Sequence, residues 1–150
     1  MTSSKALIGI AGVHYVVAEL SLRGMIALPT TRNTNAYDIV VITQRGDMHA
    51  NIQVKTSSKR TTFWLMPPIE KIRTGSHDIY VLVRRLDDTN QFEGFMLTGR
   101  EAKKAVQEAI AWQRENIRKG TRKAIVPAID EYSNSPRLVR WKKEWEQWSL

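Results

Sequence analysis

Two β-rich runs on either side of a glycine constrain the fold of this chain more than any other feature. Residues 37–43 and 48–56 are rich in branched and aromatic side chains, and they flank Arg45-Gly46-Asp47. Glycine readily adopts the positive φ that a tight hairpin turn requires. The pattern therefore predicts a β-hairpin, although the same three residues also spell a cell-adhesion tripeptide.

Helical and extended patterns surround this hairpin along the chain. Residues 3–23 carry apolar side chains at helical spacing and end at Gly24, which is typical of a helix stop. Thr98 and Glu101 have the spacing of a capping box, which opens a helix that reaches about Arg118. The remaining predictions are a short strand over residues 61–66, a second hairpin from residues 79–86 and 92–97, and a last helix that starts at Ser135-Pro136.

The order of these elements predicts one domain of the α/β or α+β class over residues 1–150. A chain of 150 residues has an ordinary size for a domain with its own core. Residues 119–134 are predicted to be irregular, and about 119–150 form a C-terminal, tryptophan-rich helical extension. Trp141, Trp145 and Trp148 follow one helix face, so packing against the sheet is favoured over base stacking or a subunit interface.

Composition narrows the classes of function. The chain has no cysteine, which excludes disulfides and thiolate metal sites, and its three histidines share no spacing that would indicate zinc. No run approaches the roughly 18 apolar residues of a membrane span, and the first residues lack a signal-peptide pattern. A cytoplasmic protein without a membrane partner is therefore expected.

The register of the first hairpin brings three polar side chains together. Gln53 and Lys55 share a face because side chains alternate along a strand. A two-residue turn at residues 45–46 places Asp38 opposite Gln53, and a turn at residues 46–47 places it opposite Lys55. All three lie together in either register, whereas a three-residue loop or a bulge would break the inference.

This combination of groups can hold a divalent metal and a phosphodiester at one point. Asp38 offers a hard anionic oxygen for Mg²⁺ or Mn²⁺, and the Gln53 amide and the main-chain carbonyl of Val54 add neutral oxygens. Lys55 can neutralise the phosphate or help to deprotonate the attacking water. Alternating polar residues are also typical of any half-solvated strand, so the spacing alone leaves a purely structural role open.

Short motifs follow one another in order through the first third of the chain. They are Gly9-Ile10-Ala11-Gly12, His14-Tyr15-Val16, Ala18-Glu19-Leu20, Arg23-Gly24, Arg32-Asn33-Thr34, Tyr37-Asp38-Ile39 and Ile52-Gln53-Val54-Lys55-Thr56. Together they resemble a bacterial family of largely uncharacterised PD-(D/E)XK nuclease-fold proteins. The Q-x-K form is also similar to intron-encoded homing endonucleases and Mrr-like restriction domains. The resemblance is good over residues 9–56 and fair from Phe63 to the end.

The resemblance carries expectations for fold, function and residues. It implies a restriction-endonuclease-like core with a central mixed β-sheet flanked by helices, Mg²⁺-dependent DNA cleavage, and assembly as a homodimer or larger oligomer. Asp38 would be the metal-binding aspartate, Gln53 the variant of the usual acid, and Lys55 the motif lysine.

One position departs from the family pattern. Val13 stands where a first-helix glutamate is expected, and Glu19 lies too far around the helix to replace it. A site with one formal negative charge holds Mg²⁺ weakly, although substrate phosphate can supply the missing charge. A catalytically inactive DNA-binding or assembly module of the same fold is therefore the alternative function.

Basic side chains outside the strand motif are candidate DNA contacts. A net charge of +8 favours polyanionic partners and salt-sensitive phosphate contacts. A solvated basic face that serves solubility is the alternative interpretation. The candidates are Arg32 in the loop before Asp38, Lys59 and Arg60 after Lys55, and Arg118, Lys119, Arg122 and Lys123 in the densest basic segment.

Overall fold

Three helices and seven strands make up the part of the chain that the structure describes. The computed structural model describes residues 4–31, 37–58, 61–86 and 89–149. The helices are α1 (Lys5–Leu22), α2 (Gly99–Arg118) and α3 (Ser135–Gln147), with a 3-10 turn at Ile69–Lys71. The strands are β1 (Ile26–Pro29), β2 (Ile39–Ile42), β3 (Met48–Ser58), β4 (Phe63–Leu65), β5 (Asp78–Arg85), β6 (Phe92–Thr98) and β7 (Ala128–Asp130).

The helix ends follow the signals in the local sequence. The Ser4 hydroxyl caps α1 by accepting a hydrogen bond from the Leu7 N–H. On α2, the Thr98 hydroxyl accepts from the Glu101 N–H at 3.1 Å, and the Glu101 carboxylate accepts from the Thr98 N–H at 3.0 Å. Gly24, just beyond α1, has a φ of 82°. The predicted capping box and the predicted stop of the first helix are therefore confirmed.

Five of the strands form a mixed sheet in the order β1-β2-β3-β5-β6. Strands β3 and β5 run parallel, whereas the β1–β2, β2–β3 and β5–β6 pairs are antiparallel. Strands β4 and β7 pair separately as a small antiparallel sheet. Residues 128–130 were predicted to be irregular, and that prediction is wrong because their strand forms only through pairing with a segment more than sixty residues away.

Helices cover both faces of the five-stranded sheet. Ile52 and Val54 of β3 are buried against Leu20 of α1 in one cluster. On the opposite face, Tyr80 of β5 is buried against Val106 of α2 in a second cluster. The predicted α/β class, a mixed sheet flanked by helices, is confirmed at this level.

The first hairpin forms with a longer connection than a two-residue turn. The Thr43 N–H donates to the Asp47 carbonyl, and Gly46 between them has a φ of 91°. A bulge beside this loop then shifts the pairing by one residue, so that Ile39 lies opposite Ile52. The bulge thus restores the register that a turn at residues 45–46 predicts, because the extra residue compensates for the longer loop.

The C-terminal helix belongs to the core and is not an appendage. Trp141 and Trp145 are each only 1% exposed. The Trp145 indole N–H donates to the Tyr15 hydroxyl of α1 at 3.1 Å. A side chain at Gly94 of β6 would clash with this indole, since a Cβ there would lie 2.4 Å from its nitrogen. The predicted packing of the tryptophans against the sheet is confirmed.

Helix α1 is more apolar than the sequence interpretation allowed. In the described part of the chain it is long and apolar enough to cross a membrane by length and composition, with 18 residues and a mean hydropathy of 1.4. A mostly buried core helix passes the same test, but only 17% of this helix is buried, including Val16 and Leu20, which lie against the sheet. The apolar composition is therefore weak support for a membrane span.

Candidate active site

Asp38 is fixed at the point where β1, β2 and β3 meet. Its N–H donates to the Ile52 carbonyl and its carbonyl accepts from the Thr30 N–H, both at 2.9 Å. Its carboxylate Oδ2 accepts a hydrogen bond from the Val54 N–H at 2.7 Å. The carboxylate therefore replaces the main-chain carbonyl that would accept this hydrogen bond if the β2–β3 pairing continued. The hydrogen bonds to Ile52, Thr30 and Val54 together fix the position of Asp38.

Gln53 and Lys55 lie on the face of β3 that points away from α1. Ile52 and Val54 face α1, and alternation places the residues between and beyond them on the α2 side. The observed register pairs Ile39 with Ile52, and the Asp38 N–H donates to the same Ile52 carbonyl, so Asp38 lies at the end of this pairing. Its carboxylate accepts from the Val54 N–H, between Gln53 and Lys55 along β3. The structure thus places the Asp38 carboxylate beside the part of β3 that carries Gln53 and Lys55.

Tyr80 extends this row into the next strand. The parallel pairing of β3 with β5 sets Tyr80 beside Gln53, and the ring is only 1% exposed. Burial raises the pKa of Tyr80 to about 12, and the negative charges of Asp78 and Asp38 contribute to the increase. The hydroxyl therefore stays neutral at physiological pH, between two carboxylates. The sequence analysis missed this residue because nothing local indicates which strand lies next to β3.

Asp78 is a second carboxylate on the same face, but it lies one row away. It pairs with Asn51, and its Oδ2 accepts from the Gly75 N–H at 2.8 Å. Its negative charge helps to raise the pKa of Tyr80, so Asp78 acts on the site through its charge.

Arg73 places a cation at the rim of the site. Its Nη1 donates to the Tyr37 hydroxyl at 2.8 Å, and its guanidinium carbon lies 4.9 Å from the centre of the Tyr37 ring. Tyr37 immediately precedes Asp38, so this exposed arginine stands next to the predicted metal ligand. Sequence reasoning did not select Arg73, because the contact joins residues 36 positions apart.

The carboxylates available to a metal are few. Within the described ranges, no group of three or more histidine, cysteine, aspartate or glutamate side chains could hold a metal ion. Val13 packs against the cluster on the α1 side, across the sheet from Gln53. Glu19 forms an ion pair with Arg23 at 3.1 Å, as expected for a residue outside the site. Asp38 is therefore the anionic centre of the predicted ligand set, with the Gln53 amide and the Val54 carbonyl as neutral oxygens.

The predicted DNA-contacting residues of the basic segment lie far from Asp38. Gly99 opens α2 against Arg73, since a Cβ at this glycine would lie 1.9 Å from the Arg73 carbonyl oxygen. Arg118 closes the same helix, and 20 helical residues span about 30 Å. Lys119, Arg122 and Lys123 follow at that distant end. Arg32, Lys59 and Arg60 lie outside the described residues.

No protein-family model, no curated protein and no solved structure matches this chain. The class is therefore defined by the structure itself, as an α/β protein with a mixed five-stranded sheet between helices. Within that class, the face opposite α1 carries Gln53 paired with Tyr80, and the Asp38 carboxylate is bound beside them by the Val54 N–H.

Proposed function

We propose that this chain is a metal-dependent DNA phosphodiesterase with a restriction-endonuclease-like core. The observation that supports the proposal is the hydrogen bond from the Val54 N–H to the Asp38 carboxylate, which sets this acid beside the part of β3 that carries Gln53 and Lys55. An acid, an amide and an ammonium on neighbouring strands match the needs of metal-assisted phosphodiester hydrolysis.

Each group has a separate role in this proposal. Asp38 binds Mg²⁺ or Mn²⁺ through the carboxylate that the Val54 N–H orients, and the Gln53 amide and the Val54 carbonyl complete the protein ligands. The metal activates a water molecule and absorbs the charge that develops on the phosphate. Lys55 stabilises that charge from the same face, and Arg73 at the rim contacts a neighbouring phosphate of the DNA.

We further propose that the protein acts as a homodimer or larger oligomer. Ile26 and Leu28 of β1 and Met48 of β3 are 38%, 48% and 53% exposed. The register puts all three on the same sheet face as Asp38, beyond the part that α2 covers. A second copy that covers this apolar strip would also bring a second site close to the same DNA. Sedimentation of wild type and Leu28→Glu tests this, since the variant should shift to monomer, and an unchanged monomer in both would refute it.

A cleavage assay tests the enzymatic proposal. Purified protein is incubated with Mg²⁺ or Mn²⁺ and supercoiled, linear duplex or single-stranded DNA. Cleavage of at least one form should disappear in EDTA and in Asp38→Asn, while Asp47→Asn in the exposed turn of the same hairpin retains it. The absence of cleavage for every form, or cleavage that persists in Asp38→Asn, would refute the proposal.

A DNA-binding module without catalysis is the second candidate. The observation that favours it is the scarcity of carboxylates, because Asp38 is the anionic centre of the ligand set and Val13 lies across the sheet. This candidate predicts salt-sensitive DNA binding that is unchanged by EDTA, and no heat of Mn²⁺ binding in calorimetry. Asp38-dependent Mn²⁺ binding would eliminate it.

A further inference from the structure

A groove lies between the middle of α2 and the small β4–β7 sheet. Its volume is about 640 Å³, which is within the range of pockets that bind small molecules. Three small side chains, Ala105 and Ala109 of α2 and Ala128 of β7, are among the residues that line it, and these alanines are called its floor below.

The wall of the groove is held by a buried amide. Gln113 is only 5% exposed, and its side chain both donates to the Val126 carbonyl at 2.9 Å and accepts from the Val126 N–H at 2.6 Å. This pair of hydrogen bonds ties the segment after α2 back onto the helix. At the other side, the buried Asn134 amide donates to the Asp130 carbonyl at 2.9 Å. The groove is therefore a preformed feature with fixed sides.

Three large aromatic side chains stand exposed around this groove. Trp112 is 62% exposed, Tyr132 is 76% exposed and Phe63 is 38% exposed, and all three line the cavity. Aromatic side chains of this size are usually buried, and an exposed cluster on a concave surface marks a binding site. Planar ligands stack on such rings.

Basic side chains around the groove favour an anionic ligand. Arg122 lines the cavity, and Arg114, Lys119 and Lys123 are exposed on the adjoining turn of the chain. Two carboxylates also line the cavity: Glu108 is paired with Arg137 at 2.8 Å, and Asp130 accepts a hydrogen bond from the Ser133 N–H at 2.8 Å. Exposed aromatic rings next to cationic side chains are the combination by which proteins hold unpaired bases and their phosphates.

We propose that this groove binds the unpaired nucleotides of a single-stranded nucleic acid. The bases stack on Trp112 and Tyr132, and Arg122 and Lys123 contact the phosphates that link them. This goes beyond the phosphodiesterase proposal and does not depend on it, because the residues that line the groove do not include Asp38, Gln53 or Lys55.

Tryptophan fluorescence gives a direct test with a short oligothymidylate in EDTA. Trp64, Trp141 and Trp145 are buried, whereas Trp112 is the most exposed tryptophan and lies in the groove. Stacking should quench the fluorescence of wild type, and the quenching should disappear in Trp112→Phe, which retains a stacking ring. In Trp112→Ala the affinity, measured by anisotropy of a labelled oligonucleotide, should fall about fivefold or more.

A matched pair of variants tests the groove itself. Ala109→Leu fills the floor of the groove, whereas Ala111→Leu adds the same side chain at an exposed position on another face of α2. We expect weaker oligonucleotide binding in the first variant and wild-type binding in the second. Equal binding by the two variants, or quenching that remains in Trp112→Phe, would overturn the proposal.

The Asp38→Asn variant separates this inference from the proposed enzymatic function. It should lose cleavage while it retains the quenching, because the groove does not include the predicted metal ligand. Quenching that depends on Trp112 without any cleavage by wild type would support the groove and refute the phosphodiesterase. Cleavage by wild type without quenching that depends on Trp112 would support the phosphodiesterase and refute the groove.

Discussion

Replacement of Asp38 by alanine and by asparagine should separate its structural role from its chemical role. The carboxylate accepts a 2.7 Å hydrogen bond from the N–H of Val54, a residue that is only 8% exposed. Alanine removes the acceptor and leaves this buried N–H without a partner. Asparagine retains an acceptor oxygen of the same reach but removes the negative charge.

The expected cost follows from this contact. A hydrogen bond to a charged group contributes about 1.5–3 kcal/mol, and a neutral one contributes about 0.5–1.5 kcal/mol. Asp38→Ala should therefore lower the free energy of unfolding by about 1.5–3 kcal/mol, and Asp38→Asn by about 1–1.5 kcal/mol. Both variants should lose Mn²⁺ binding, because neither keeps the anionic oxygen that these hard ions prefer.

Urea unfolding and titration calorimetry measure the two effects independently. The Asp47→Ala variant, at an exposed acid in the turn of the same hairpin, should stay within about 0.5 kcal/mol of wild type. If Asp38→Ala is as stable as wild type, the carboxylate does not hold β3. If Asp38→Asn binds Mn²⁺ as wild type does, the carboxylate is not the metal ligand.

Two further predictions concern packing and pH. In α1, Gly12→Ala should lower the free energy of unfolding by about 1–3 kcal/mol, because the new Cβ would lie 2.0 Å from the Thr56 Oγ1. Gly9→Ala, whose Cβ would have nothing within 4 Å, should raise it by up to about 1 kcal/mol, because alanine has the higher helix propensity. Urea unfolding of the pair checks this, and equal effects would contradict the close approach of α1 to β3. The Tyr80 pKa is raised from 10.0 to about 12, so its contribution to stability is complete below pH 10 and is lost as the pH rises towards 12. Two pKa units correspond to about 2–3 kcal/mol. Between pH 10 and 12, the unfolding free energy of Tyr80→Phe should therefore fall less steeply than that of wild type. Parallel curves of unfolding free energy against pH would refute the burial of the Tyr80 hydroxyl.

The local elements were predictable because their signals lie close together in the chain. The capping box at Thr98, the glycine stop after α1 and the alternation that unites Gln53 with Lys55 each depend on residues within a few positions. The register of the first hairpin was correct for a different reason than the one argued. The loop is longer than two residues, and a bulge returns Ile39 to its place opposite Ile52, next to which the Asp38 carboxylate meets the Val54 N–H.

The contacts that surround the site were not predictable from local patterns. Tyr80 comes to lie beside Gln53 only because β3 and β5 pair in parallel, which joins strands that are distant in sequence. Arg73 reaches Tyr37 across 36 positions. The aromatic groove likewise depends on Phe63, Trp112 and Tyr132, which belong to three different elements.

The sequence by itself determined the helices, the hairpins and the choice of Asp38, Gln53 and Lys55, because helical periodicity, strand alternation and turn chemistry act over a few residues. Only the tertiary structure decided the strand order, the placement of Val13 across the sheet from Gln53, and the groove between α2 and the small β4–β7 sheet. These features depend on which apolar faces are buried against each other. The packing of the whole chain determines which faces meet, because burial of apolar surface is non-directional and the local sequence does not specify the packing partner.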